Sequence, residues 1–396
     1  MAQFMGYVRP DGSVGTRNWV LVVPGGFLAA QIASSVSGVR HINNIDTGSG
    51  RTRRDKQTLA RFLTGLALNP NVASVIIQQD AVNLGTAEIA PEVLADAVAK
   101  SGKRVELVTA ARHKGTMNAL ARGIELAQDM VFEASRLRRE PVDESHLTVG
   151  VKCGMSDATS GVSGNPAVGV ALDRIVEAGG SVLFGETTEV IGAEHIIARR
   201  ARDQEVAKAF LKMVEETESR SRAMGEDIRG TNPGPANIDG GLSTLEEKSL
   251  GAIHKVGTSP LVGVLRYAER PTSPGLHFVD CWQTYSSILP GYAASGATLT
   301  IFQLGGETIP DGAVLSPSPA VVAPLIWSTG NPQTSRRCRT SIDFSSAGIL
   351  EGKETIQQAG DRLHQTLMDI ASGTLTRCEP LAYVPPVMPY MLDVPF

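Results

Sequence analysis

The sequence predicts an α/β protein of two Rossmann-like domains, each a parallel sheet flanked by helices. Three observations point there. Short apolar runs of strand length alternate with amphipathic stretches of helical spacing, in the order βαβαβα along the first third of the chain. At 396 residues the chain exceeds what one small core organises, so two domains are expected. Arg136 to Glu144 is charged and contains Pro141, which sets the boundary between residues 1–143 and 144–396.

The first half opens with GYVRPDGSVGTRN, where Pro10-Asp11-Gly12 marks a turn. Trp19 to Pro24 reads as a buried strand. Arg17 and Asn18, just before it, read either as polar positions leading into the strand or as substrate binders, because a guanidinium meets a carboxylate bidentately. Pro24-Gly25-Gly26 turns the chain into a helix from Phe27 to Ser37. No GxGxxG and no P-loop lysine accompany that turn, so dinucleotide binding has weak support. Asn43 to Arg54 is a polar loop with Asp46, Ser49 and three arginines, read as a solvated turn or an anion-binding loop. Then follow a helix (Lys56 to Leu68), a strand (Val72 to Gln78), a helix (Pro91 to Ser101), a strand (Arg104 to Thr109) and a long amphipathic helix (Lys114 to Arg138).

The second half is organised around VGVKCGMSDATSGVSGNPAVGVALDRIVEAGGSVLFGETTEVIGAE. Leu147 to Val151 reads as a buried strand. It runs into a loop of small polar residues holding Cys153, Ser156, Asp157, Ser160, Ser163 and Asn165. Pro166 suits a first helical turn, where its missing N–H is not needed, and Gly179-Gly180 stops the helix. Ser181 to Gly185 is the next strand, followed by Glu186, Glu189 and Glu194. In an open α/β sheet, ligands sit beyond the carboxyl ends of strands, so this unit is the candidate site. Further on, Asp203 to Met224 is a charged helix. The Gly/Pro-rich segment 225–241 is expected to be irregular: a lid, a binding loop or a linker. In Leu245 to Gly257, Lys248 and Lys255 stand seven apart, a spacing that allows them to share one helix face, read as either a solvated face or a pair of anion or proton-transfer groups. Pro260 to Tyr267 and Ala297 to Phe302 are strands, Gly305 to Pro319 a loop, and Lys353 to Ser372 a helix. The proline-rich tail from Pro380 is expected to wrap a neighbouring surface.

Composition narrows the function classes. Hydrophobic residues make up 42% and charged residues 20%, and the net charge of −4 has no basic block, which argues against nucleic-acid or membrane-surface partners. The four cysteines, Cys153, Cys281, Cys338 and Cys378, form no close pair, which disfavours a zinc knuckle or a disulfide scaffold. No signal peptide and no stretch of membrane-span length is visible, so a cytoplasmic protein is expected.

Beyond these readings, the chain resembles the altronate/galactarate dehydratase family, which includes the large subunit of (2R)-sulfolactate sulfo-lyase. The matching stretches are GYVRPDGSVGTRN (Gly6 to Asn18), NPNV (Asn69 to Val72), CGMSDATSGVSGN (Cys153 to Asn165), GETTEVIGAE (Gly185 to Glu194), EKSLGAIHKVG (Glu247 to Gly257) and ASG (Ala371 to Gly373). They fall in family order and cover nearly the whole chain. The family's usual asparagine–cysteine pair, His-containing Gly-Cys-Gly loop and Gly-Cys-Glu are replaced by Pro24-Gly25-Gly26, Asp46 to Gly50 and Gln79-Asp80-Ala81. Of the customary cysteines only Cys153 remains.

The resemblance implies a lyase that removes water from a sugar acid or related 2-hydroxy acid to give a 2-keto acid. The alternatives are release of sulfite from sulfolactate, or a non-catalytic or regulatory homologue. A base takes the proton beside the carboxylate, and positive charge stabilises the aci-carboxylate. Hydroxide needs an acid to leave, whereas sulfite does not. The expected catalytic residues are Lys248, Lys255, Glu186 and Cys153. Arg17, Asn18, Ser156, Ser160 and Asn165 are expected to bind substrate. Asp157, Glu186 and Glu189 are expected to hold a divalent metal (Fe²⁺, Mn²⁺ or Mg²⁺). Cys153 has three readings: metal ligand, nucleophile, or small buried residue in a tight turn. His195 and His254 lie near matched motifs and read as structural. The expected partners are the hydroxy-acid substrate, a separate small subunit and further copies of the chain.

Overall fold

The computed structural model describes residues 2–43, 50–79, 89–306 and 315–393. Its strands are β1 (Gln3–Val8), β2 (Val14–Gly15), β3 (Trp19–Val23), β4 (Val39–His41), β5 (Val72–Gln79), β6 (Arg104–Thr109) and β7 (Glu140–Asp143) in the first half. The second half supplies β8 (Thr148–Gly154), β9 (Ser181–Phe184), β10 (Leu261–Leu265), β11 (Gly275–Val279), β12 (Leu299–Leu304), β13 (Leu325–Thr329) and β14 (Phe344–Ser345). The fold is α/β with two parallel sheets flanked by helices, as the apolar runs predicted. One sheet has the order β4-β3-β5-β6 and the other β10-β11-β9-β8-β12-β13-β14. Both faces of such sheets are covered, so the central strands read as continuous apolar runs rather than alternating ones. Val20 to Val23 and Val149 to Val151, for example, are all buried.

The seven-stranded sheet positions the site. From β8 the chain builds outward on one side through β9, β11 and β10, then returns to the other side of β8 with β12 and β13. Connections therefore leave the carboxyl end of β8 in opposite directions from those of β12, which opens a crevice there. The helix Asn165–Glu177 follows β8, with Pro166 in its first turn, and Gly179 at φ 89° ends it in a backbone conformation that favours glycine. A five-residue π-helical turn, Ser160–Gly164, precedes that helix, a widening often found at functional sites. The two halves share apolar packing: Phe62 and Leu63 of helix Arg53–Leu68 belong to one cluster with Leu289, Tyr292 and Ala293 of helix Tyr285–Ala294. A Cβ on Gly65 would lie 2.3 Å from the Ala294 carbonyl oxygen, so the helices approach at backbone distance.

Three features depart from the sequence expectations. The charged segment around Pro141 is a strand, β7, paired antiparallel with β1, and with β2 they form a separate three-stranded sheet. Segment 225–241 is not irregular throughout, since it carries two short helices, Ile228–Thr231 and Pro235–Asp239. The long helix ends at Ser135 rather than Arg138. The tail lies along neighbouring elements: Val387 N donates to Asn43 Oδ1, Met388 N to the Ser286 carbonyl, and Leu392 N and Asp393 N to the buried Asp55 carboxylate. Half of the suggested anion-binding loop, with Asp46 and Ser49, and much of the Gly305 to Pro319 loop lie outside the described residues. Among the described residues no helix is long and apolar enough to cross a membrane.

Candidate functional site

Strands β8 and β9 end side by side, and their last residues start the site. Lys152 and Cys153 close β8, and Glu186 follows β9 after Gly185. Glu186 is held at φ 66°, a left-handed conformation that a residue with a Cβ adopts only when its surroundings fix it. The turn aims its carboxylate back across the end of β8. There Oε1 accepts from Lys152 Nζ at 2.9 Å, and Oε2 accepts from Lys255 Nζ at 2.5 Å and from the Cys153 backbone N–H at 3.2 Å. Glu189 sits one short turn later. Its Oε2 accepts from Cys153 Sγ at 3.0 Å, and its carboxylate faces Lys248 at 3.6 Å and Lys255 at 3.8 Å. The two lysines come from helix Leu245–Ile253 and the turn His254–Val256, and both are buried, which decides between the two readings of the sequence against a solvated face. None of these six residues is more than 8% exposed.

Burial without pairing would neutralise such groups, so their charges must hold one another in place. Burial works against the Lys255 ammonium, but Cys153, Glu186 and Glu189 outweigh it and raise its pKa above the ordinary lysine value. Burial likewise disfavours the Glu189 carboxylate, yet Lys248, Lys255 and Lys152 overcome it and hold its pKa at about 2. Burial and then Glu189 push the Cys153 thiol up, so it stays protonated and donates to Glu189. Three ammoniums therefore face two carboxylates, and these groups carry one positive charge in excess.

Cys153 Sγ and carboxylate oxygens of Glu186 and Glu189 lie within 4.8 Å of one another, a grouping of the kind that shares a metal ion. Glu186 and Glu189, two of the three predicted ligands, are in it, but Asp157 is not. The Asp157 carboxylate accepts instead from Thr159 Oγ1 at 2.6 Å, from Ser160 N at 3.1 Å and Oγ at 3.2 Å, and from Asn331 Nδ2 at 2.9 Å. It laces the loop after β8. The group also already holds a cation, because Lys255 Nζ donates to two of its three donor atoms and faces the third.

Lys248 connects the cluster to a cavity of about 200 Å³ lined also by Ser156, Asp157, Ser160, Asn165, Glu247 and His254. Lys248 Nζ donates to Asn232 Oδ1 at 2.8 Å and Asn237 Oδ1 at 3.2 Å, both from segment 225–241, which thus covers this edge of the site. Asn237 Nδ2 in turn donates to the Ser156 carbonyl at 2.9 Å. Ser156 and Asn165 line this cavity, and their Oγ and Oδ1 atoms are buried without a hydrogen-bond partner. Buried polar atoms are rarely left so. A larger cavity of about 590 Å³, between the β4 edge and residues Leu375 to Pro385, contains none of the cluster.

The structure thus brings together Cys153, Glu186, Glu189, Lys248 and Lys255 in the cluster, and Ser156, Asp157, Ser160 and Asn165 around the cavity beside it. It leaves Arg17 and Asn18 out. All five guanidinium N–H groups of Arg17 are taken: by Glu379 at 2.6 and 2.8 Å and by the carbonyls of Thr16, Ile370 and Thr374. No donor remains for a substrate carboxylate. Asn18 bridges Arg9 and the Ala134 carbonyl. The sequence reading missed Lys152, whose signal was a lysine inside an otherwise apolar strand, and missed Asn232 and Asn237, which polar composition alone does not single out.

Residues 144–388 match the family model described as D-galactarate/altronate dehydratase, C-terminal, and residues 6–135 match the second domain of D-galactarate dehydratase/altronate hydrolase. The chain belongs to the galactarate/altronate dehydratase family. Within that family it is 35% identical, over 96% of its length and 95% of the relative's, to the (2R)-sulfolactate sulfo-lyase subunit beta of Chromohalobacter salexigens. It is 32% identical to the galactarate dehydratase (L-threo-forming) of Escherichia coli over 79% of this chain and 59% of that protein. It is 26% identical to the altronate dehydratase of Escherichia coli over 93% of this chain and 74% of that protein. These relatives are lyases.

Proposed function

We propose that the chain is a lyase that removes a leaving group from the carbon next to the hydroxyl-bearing carbon of a 2-hydroxy acid, giving a 2-keto acid. The observation that carries this is the excess positive charge of the buried lysine–glutamate cluster, which opens through Lys248 onto a cavity with unpartnered Ser156 Oγ and Asn165 Oδ1. In this reading Lys248 meets the substrate carboxylate. Asn165 Oδ1 accepts from a substrate hydroxyl, and Ser156 and Ser160 orient the rest. Lys255, kept charged by its carboxylate neighbours, supplies positive charge as the aci-carboxylate forms, and Glu186 fixes both Lys152 and Lys255. Fixed charge in a water-poor site stabilises such an intermediate without reorganisation at the moment of reaction. Removal of water from a sugar acid is the reading of choice. Release of sulfite is the second reading, favoured by the end-to-end match to a sulfo-lyase subunit beta, and with it comes a separate small partner subunit.

The test is 2-keto acid formation from altronate, galactarate and sulfolactate, with sulfite measured in parallel. Turnover on a sugar acid without sulfite supports the first reading, and sulfite from sulfolactate the second. Lys255→Met is expected to lower kcat by about 10²–10⁴-fold, the range typical of one lost catalytic group. Turnover unchanged in a folded Lys255→Met protein would remove the cluster from the chemistry.

A further inference from the structure

The donor atoms of the Cys153–Glu186–Glu189 group converge on a side chain of the protein itself. Lys255 Nζ stands 3.0 Å from Cys153 Sγ, 2.5 Å from Glu186 Oε2 and 3.8 Å from Glu189 Oε2. These donor atoms lie within 4.8 Å of one another, so an ion bridging them would have to occupy the space that Nζ fills. Metal–ligand distances of about 2.0–2.3 Å leave no room for both. The charge balance points the same way. Lys152 on Glu186 and Lys248 near Glu189 already hold the outer carboxylate oxygens, so a divalent ion would add two charges to a site that carries one in excess. Displacing Lys255 would also strand a buried ammonium, because the turn that carries it is packed on the helix after β8: a Cβ on Gly169 would lie 2.2 Å from the His254 carbonyl oxygen.

We infer that this group takes no divalent cation, and that the Lys255 ammonium is its resident counter-cation. The positive charge at the site is then built from side chains. The inference concerns the site of the proposed lyase reaction, but it is read by metal binding and not by turnover, so the two fail separately. The full chain, freed of metal by a chelator, is incubated with excess Co²⁺ and desalted. Bound cobalt is counted by elemental analysis, and the near-ultraviolet sulfur-to-cobalt charge-transfer band is recorded. The wild-type chain is expected to show no band that depends on Cys153. Lys255→Ala is expected to retain about one further Co²⁺ per chain and to gain the band, which Cys153→Ser in that background abolishes. Cobalt held elsewhere on the wild-type chain, without a Cys153-dependent band, agrees with the inference. A wild-type band lost on Cys153→Ser overturns it, as does a folded Lys255→Ala chain that gains no band. If Lys255→Ala does not fold, the wild-type spectra with and without Cys153→Ser decide.

Discussion

Lys248, Lys255 and Lys152 all act on one carboxylate, that of Glu189, and together they hold its pKa at about 2 against an ordinary value of 4.5. A group whose pKa is lower in the folded chain adds stability above its unfolded value, and that stability is lost as pH falls through the window between the two. For Glu189 the window runs from about 4.5 down to about 2. Denaturant unfolding at about pH 6 and about pH 3 is therefore expected to show the wild-type advantage over Glu189→Gln shrinking by about 2 kcal/mol, at 1.36 kcal/mol per pKa unit. A difference that stays constant with pH would show that Glu189 is not held ionised by its neighbours. At this scale the sequence was legible where spacing did the work. The spacing of seven allowed Lys248 and Lys255 to share a face, and Glu186 and Glu189 follow the apolar run of β9 directly. It was not legible where partners come from afar. The Asp157 carboxylate offered itself as a metal ligand until Asn331, 174 residues later, was seen to bind it. Lys152, one residue past the run Leu147 to Val151, drew no reading, although a lysine buried beside apolar strand residues is rarely left unpaired, and its partner is Glu186.

Helices and turns set how tightly the lysines are held. Gly169, in the helix after β8, faces the turn that carries Lys255. A Cβ there would lie 2.2 Å from the His254 carbonyl oxygen and 2.8 Å from Gly257 N. Inside a helix, alanine normally gains about 1 kcal/mol over glycine. The steric term is larger here, because backbone atoms cannot turn away as a side chain can, and overpacking costs about 1–3 kcal/mol. Gly169→Ala is thus expected to lower Tm and, by shifting the 254–257 turn, to lower kcat by about 10-fold or more, since misplacement by about 1 Å can cost 10². A raised Tm with full activity would show that the turn yields freely. The strands β3, β5, β6, β8, β9, β10 and β12 were readable because each is written in a contiguous apolar run, whereas β4, β11, β13 and β14 drew no reading. The sheet of β2, β1 and β7 was not readable, because Gln3 pairs with Asp143 and no local signal joins them. Segment 225–241 read as irregular because Gly and Pro dominate it, yet its Pro235 starts a short helix whose Asn237 reaches Lys248.

Across the whole molecule, the ends of the chain are fastened to its beginning. Arg17 precedes the first parallel strand, and Glu379 lies beyond the last helix, Ile356–Ala371. Their side chains pair at 2.6 Å with 5% and 9% exposure. The same guanidinium bonds the Ile370 and Thr374 carbonyls, so one residue gathers the N-terminal segment, the end of the last helix and the tail. The motif that carries Arg17 matches a family of hydroxy-acid lyases, which made a substrate-binding role the natural reading of the sequence. The structure gives it a structural one, and the two roles predict opposite outcomes. Removing one partner of a buried, fully bonded pair leaves the other charged and unsatisfied, at a cost of about 3–5 kcal/mol. Arg17→Met is accordingly expected to lower the unfolding free energy by about that amount, while KM per folded molecule stays within about 2-fold, because the cluster at the end of β8 retains Lys248 and Lys255. A substrate-binding arginine would behave in reverse: loss of a bidentate charge-assisted contact would raise KM by 10-fold or more at about 1.4 kcal/mol per decade, with stability little changed. Equilibrium unfolding and initial-rate kinetics on the same preparation separate the two.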